Sequence, residues 1–148
     1  MRDSDDWWVF IDWQAELNKQ ASAQGVLIYC LQRALWLAQR FEPQRVPYYT
    51  ATLWQLKEAA LHHLWDNDRQ VFISGAVRQV SWASQIWLVL AEVGTAGQRQ
   101  ALMRRLQQQP PAIAMNTRTC VIITLLPCYS PACARRRWRR SKPTFLTK

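Results

Sequence analysis

The stretch from about residue 18 to residue 40 is apolar on most sides of a helix, and a helix of that kind has to be enclosed by others. Ala23, Leu27, Leu31, Ala34 and Ala38 recur at three-to-four spacing. Ala21, Ile28, Leu35 and Leu37 widen the stripe, and Gly25 offers a neighbour a side-chain-free surface for close approach. Water does not stabilise such a helix alone; its partners must come from the rest of the chain or from another. Immediately before it lies Phe10-Ile11-Asp12-Trp13, an aromatic and a carboxylate on a loop or extended stretch that begins near Asp3.

The following segments read as those partners. Pro43 and Pro47 end the first helix and open a second, about Tyr48 to Trp65. Its stripe is narrower, formed by Tyr49, Leu53, Leu56, Ala60 and Leu64, with Gln55, Lys57, Glu58 and His62 on the wet side. Asp66-Asn67-Asp68-Arg69 is a turn, and Val71-Phe72-Ile73 a short strand-like run closed by Ser74-Gly75. Ser81 caps a third helix, about Trp82 to Val93, apolar through Ala83, Ile86, Trp87, Val89, Leu90 and Val93; Gly94 ends it. Thr95-Ala96-Gly97-Gln98 reads as a capping box that starts a fourth helix, amphipathic through Ala101, Leu102 and Leu106 and stopped by Pro110-Pro111. The fold class is therefore all-α: two αα-hairpins in series with a short β-like turn between them. In each, a broadly apolar helix precedes an amphipathic one, which predicts an inner and an outer layer. Two hairpins do not close such a shell, so inner-helix positions such as Leu27, Leu31, Ile86 and Leu90 are expected to stay partly wet. That exposure predicts a poorly soluble or molten isolated chain.

At 148 residues and 49% apolar content the chain suits one modest core and argues against disorder. No apolar run reaches the roughly 18 residues of a membrane span. The acidic start, Met1 to Asp6, has no apolar region after it, so no signal peptide is read and a cytoplasmic location is expected. The net charge of +9 is concentrated at one end. Arg118, Arg135, Arg136, Arg137, Arg139, Arg140, Lys142 and Lys148 are eight basic residues with no acid among them, which leaves eleven basic against ten acidic residues up to Thr117. Residues 1–117 are thus read as one domain and residues 118–148 as a basic, Cys-containing tail.

Four pieces in order carry a family resemblance: Phe10-Ile11-Asp12-Trp13; Leu17-Asn18-Lys19-Gln20-Ala21-Ser22-Ala23-Gln24-Gly25; Phe72-Ile73-Ser74-Gly75; and Ser81-Trp82-Ala83-Ser84-Gln85-Ile86-Trp87. Together, over about Trp8 to Thr117, they resemble the six-hairpin glycosidase domain of bacterial α-L-rhamnosidase-like glycoside hydrolases. The resemblance implies that these hairpins are part of an (α/α)6 toroid with its sugar site at one mouth. It also implies inverting hydrolysis of terminal rhamnosides by an acid and a base, two carboxylates roughly 6.5–9.5 Å apart. The family's acid and base fall outside the matched stretch, so no residue here is assigned as catalytic. Asp12 and Trp13 are candidate sugar contacts, the indole for a pyranose face and the carboxylate for hydroxyls; the plain alternative is hairpin packing and a turn cap. Ser81, Trp82 and Gln85, near the start of an inner helix, are further candidates to line the site, with a helix cap and core aromatics the alternative.

Other chemistry is not supported. His62 and His63 point about 100° apart on a helix and are not expected to chelate one metal. Asp66 and Asp68 lack the glycine and terminal glutamate of a calcium loop. Cys120, Cys128 and Cys133 have no nearby histidine, so no metal or cofactor is assigned; Cys30 reads as a buried thiol.

Beyond Thr117 the resemblance stops. Shifting the reading frame one base upstream at Arg118-Thr119-Cys120-Val121-Ile122-Ile123-Thr124 permits Pro-Tyr-Leu-Arg-Tyr-His-His, which resembles the family's continuation. The tail is therefore expected to be out-of-frame translation of a broken or split glycosidase. Expected partners are a carbohydrate (a rhamnoside) in the intact family and a complementary fragment of the same domain; neither a membrane nor nucleic acid is expected. The alternative is a small basic helical protein that binds nucleic acid or anionic surfaces through Arg135-Arg136-Arg137-Trp138-Arg139-Arg140.

Overall fold

The computed structural model describes residues 10–114 and 116; the tail, and with it the frame and arginine-cluster readings, lies outside them. Four helices and one two-stranded ribbon follow in order. They are α1 (Gln20–Phe41), a single 3-10 turn at Pro43–Arg45, α2 (Val46–Leu64), β1 (Trp65–Asp66), β2 (Val71–Phe72), α3 (Trp82–Leu90) and α4 (Ala96–Gln108). The all-α expectation, two helical hairpins with a β-turn between them, is what the chain adopts.

The inner pair is α1 and α3. A Cβ placed on Gly25 would lie 2.8 Å from the carbonyl carbon and the Cβ of Trp87, so only glycine admits α3 this closely. Ala21 and Ile28 are fully buried, and Gln32 Nε2 donates to the Ala91 carbonyl at 2.8 Å. Residues early in α1 thus meet residues early in α3, and later ones meet later ones: the two helices run parallel. The outer helices run back. The predicted stripe of α2 is its covered face, with Ala60 and Leu64 buried and Leu53 and Leu56 packed on the core. Leu102 and Leu106 do the same for α4.

Buried polar groups lock the connections. Phe72, at the heart of the main core, exchanges both backbone bonds with the amide of Gln85: its N–H donates to Oε1 at 2.8 Å, and Nε2 donates to its carbonyl at 2.7 Å. Ser74 caps α1 from a distance, its hydroxyl accepting the Ala21 N–H at 3.0 Å. Asp66 collects the N–H groups of Asp68 and Arg69 on one oxygen, each at 3.0 Å, and the Arg78 guanidinium on the other at 2.7 Å. Arg78 occupies left-handed backbone (φ 52°) in the tight turn between the bridged residues Ser74 and Gln79. The two expected N-caps of the second hairpin are present: the Ser84 N–H donates to Ser81 Oγ, and Thr95 and Gln98 form a reciprocal capping box.

Several expectations are corrected. The third helix ends at Leu90, not Val93, because Glu92 turns into left-handed backbone (φ 55°) and the Val93 N–H closes on the Leu88 carbonyl. Ile86 is fully buried, whereas Leu27 is exposed as expected. Cys30 is exposed, not buried, since it lies on the side of α1 away from α3. The rings of His62 and His63 fold toward each other, with Nδ1 atoms 3.4 Å apart, closer than the angle between their helix positions suggests. Among the described residues no three His, Cys, Asp or Glu side chains gather as a metal site, and no helix is long and apolar enough to cross a membrane.

Three outcomes follow. Gly25→Ala forces α1 and α3 apart and should cost about 1–3 kcal/mol in a thermal or denaturant melt; an unchanged melt would mean that the helices are not in this contact. Gln85→Leu strands the Phe72 N–H and C=O in the core and should cost about 1–3 kcal/mol for each group left unpaired. The N–H of Arg69 and the Arg78 guanidinium hold the Asp66 carboxyl below its ordinary value of 3.8. Its contribution is therefore complete above that value and is lost as pH falls through the depressed one. Asp66→Asn should lower stability at neutral pH and flatten its loss below about pH 4; an equally steep acid limb would remove Asp66 from the account.

Candidate functional site

The sequence candidates divide between one end of the molecule and its interior. Because α1 and α3 are parallel, both begin at the same end, and three loops meet there: residues 10–19, residues 73–81 and residues 110–114 with 116. Gln79 ties the first two, its Oε1 accepting the Asn18 N–H at 2.7 Å and its Nε2 donating to the Glu16 carbonyl at 2.8 Å. Ile113 ties the third through a parallel bridge to Ser81. A small apolar cluster underlies the junction: Ile11, Leu17, Ala23 and Ala83, with Val26, Trp87 and Ile113 against it.

Trp13 stands out from this end with 70% of its surface exposed. Its indole meets the Phe10 ring edge-on, centroids 4.9 Å apart, and Phe10 is itself 43% exposed. Asp12 is buried beneath them. One of its carboxylate oxygens accepts the Trp13 N–H at 2.8 Å, the other the Asn116 N–H at 3.0 Å. The Asn116 side chain returns the contact, its amide donating to the Trp13 carbonyl at 3.1 Å and to Gln14 Oε1 at 2.9 Å. The result is an exposed aromatic pair on a backbone clasped from below. A pyranose, with one C–H-rich face, suits such an indole, and the polar groups beside it suit hydroxyls.

Trp82 and Gln85 are not part of that surface. Trp82 packs half-buried against the main core, and its backbone N–H donates to the Ile113 carbonyl at 3.4 Å. Gln85 is fully buried, its amide spent on Phe72. Asn116 escaped the sequence reading; it lies 104 positions from Asp12 and carries no local signal. The small cleft between α2 and α4, lined by Leu61, Trp65, Phe72, Val93 and Leu102, is apolar and too tight to take a ligand.

Four of the described carboxylates are held in specific contacts. The two buried ones, Asp12 and Asp66, are both engaged by N–H donors, and Asp66 is pushed down, the reverse of what a general acid needs. Glu42 pairs with Arg45 at 2.7 Å, and Glu92 with Lys57 at 3.9 Å.

No protein-family model and no curated protein matches the sequence. Among solved structures, a rhamnosidase from Klebsiella oxytoca with rhamnose bound is similar to it, at 62% sequence identity and a TM-score of 0.80. That match covers 94% of this chain and 28% of the relative's, so the chain spans much less than the whole length of the protein it resembles. The all-α hairpins agree with that likeness: over the matched length the chain is similar to part of a rhamnosidase.

Proposed function

We propose that the Phe10–Trp13 edge is a carbohydrate-binding surface for a rhamnoside, and that the chain by itself binds without hydrolysing. The observation that carries this reading is the exposed Trp13 indole, braced by Phe10 and held at its own N–H and carbonyl by Asp12 and Asn116. Fixing that backbone in advance lowers the ordering cost of binding. In this reading Trp13 stacks on the sugar, and Asp12 acts as the anchor of its loop. Trp82 reaches the converging loops only through its N–H bond to Ile113, and Gln85 stays with Phe72 in the core. The rhamnose bound to the Klebsiella oxytoca relative supports the choice of sugar.

Hydrolysis by inversion requires an acid whose proton is retained near neutrality and a base across the sugar, roughly 6.5–9.5 Å away. The buried carboxylates described above are committed to structural bonds, which supports a non-hydrolytic role for the isolated chain. In the intact fold the edge would then contribute to sugar recognition while other segments contribute the reacting carboxylates.

Saturation-transfer NMR with L-rhamnose tests the binding. Signals on the ring C–H protons are expected for the chain and should disappear in Trp13→Ala at an unchanged melting temperature. Equal signals from Trp13→Ala would remove the indole from the site. An aryl rhamnoside incubated with the chain should release its phenol at the buffer rate; protein-dependent release that survives repurification would overturn the non-hydrolytic reading.

A further inference from the structure

His62 and His63 are the two residues before Leu64, which ends α2, and both are exposed. Neighbouring positions on a helix diverge by about 100°, yet these two rings turn toward each other. They meet edge-to-face at 80° with centroids 4.6 Å apart, and their Nδ1 atoms are 3.4 Å from each other. As a hydrogen-bonded pair, one Nδ1 carries the hydrogen that the other accepts. With the hydrogen on Nε2 of both rings instead, both Nδ1 atoms offer a lone pair.

The separation has a chemical meaning. Two zinc–imidazole bonds of roughly 2.0–2.1 Å at a tetrahedral angle set their nitrogens about 3.3–3.4 Å apart. A square-planar ion with bonds of that length needs about 2.8–3.0 Å. The pair has the tetrahedral bite already, so a small rotation of each ring turns the two lone pairs to one point. The surroundings favour a cation there. The carbonyl end of the α2 dipole lies at this last turn. Glu58 is one turn back from His62 on the same helix face, exposed and without an ion pair among the described residues. No third His, Cys, Asp or Glu among the described residues gathers with the pair. Water therefore completes the shell, and the site is open rather than a closed structural one.

We propose that His62 and His63 form a zinc(II)-binding site, a chelate through the two Nδ1 atoms at the end of α2. It is independent of the sugar reading, because it uses none of the groups at the Phe10–Trp13 edge.

The test titrates zinc chloride into the untagged full chain by calorimetry. The cysteines are alkylated beforehand with iodoacetamide in every sample, so that thiolates do not compete. One zinc per chain is expected, and magnesium chloride should give no heat of binding. A chelate needs both rings, so His62→Gln and His63→Gln should each weaken zinc at least tenfold. Both side chains are exposed, and helical circular dichroism should be unchanged in either variant. Nitrogen-15 NMR of the imidazoles gives a second readout, which a merely structural pair would not move: zinc should shift Nδ1 of both residues and leave both rings with hydrogen on Nε2. Zinc binding of equal strength in either variant would overturn the proposal. So would a zinc response at Nε2 in place of Nδ1, or imidazole signals that zinc leaves unchanged.

Discussion

The closeness of α1 to α3 governs the architecture. Gly25 brings the two backbones together at the Trp87–Leu88 peptide, and that contact fixes the helices as parallel neighbours. Parallel inner helices require return helices outside them, which α2 and α4 provide. They also require that both inner helices begin at one end, which is why the loops before α1, before α3 and after α4 converge. The exposed aromatic pair is a by-product of that convergence: Trp13 has a platform because three loops have nowhere else to meet.

Apolar burial alone would leave this arrangement loose. Its specificity comes from a few buried polar side chains that bond to backbone far away in sequence. Gln85 serves both sides of the Phe72 peptide, Ser74 caps α1, and Asp66 gathers the following turn and Arg78. Each is satisfied in place, so each adds direction to a core whose apolar contacts carry none.

Much of this was legible in the sequence, and the limits have physical causes. Periodicity revealed the α2 stripe and the broad α1 face because both are local, repeating patterns. Ser81 and Thr95 announced their helices because a capping side chain lies within three residues of what it caps. The α1 cap was not visible, since it is Ser74, more than fifty positions away. Gln85 looked like a site residue because a glutamine near the start of an inner helix resembles a sugar ligand; only the fold shows its amide turned toward Phe72. Cys30 and Ile86 were assigned to the wrong environments for one reason. A helix apolar on most sides does not say which side its neighbour takes. Asp12 and Trp13 were found together, but the residue that holds them, Asn116, is marked by nothing near it.

The bond between Asp12 and Asn116 joins positions 104 apart. During synthesis the loop bearing Trp13 leaves the ribosome early, yet its fastener emerges only after both hairpins have been made. Helices form locally and fast, while closure over so long a separation comes late. The loop bearing Trp13 thus acquires its geometry after the two hairpins that follow it.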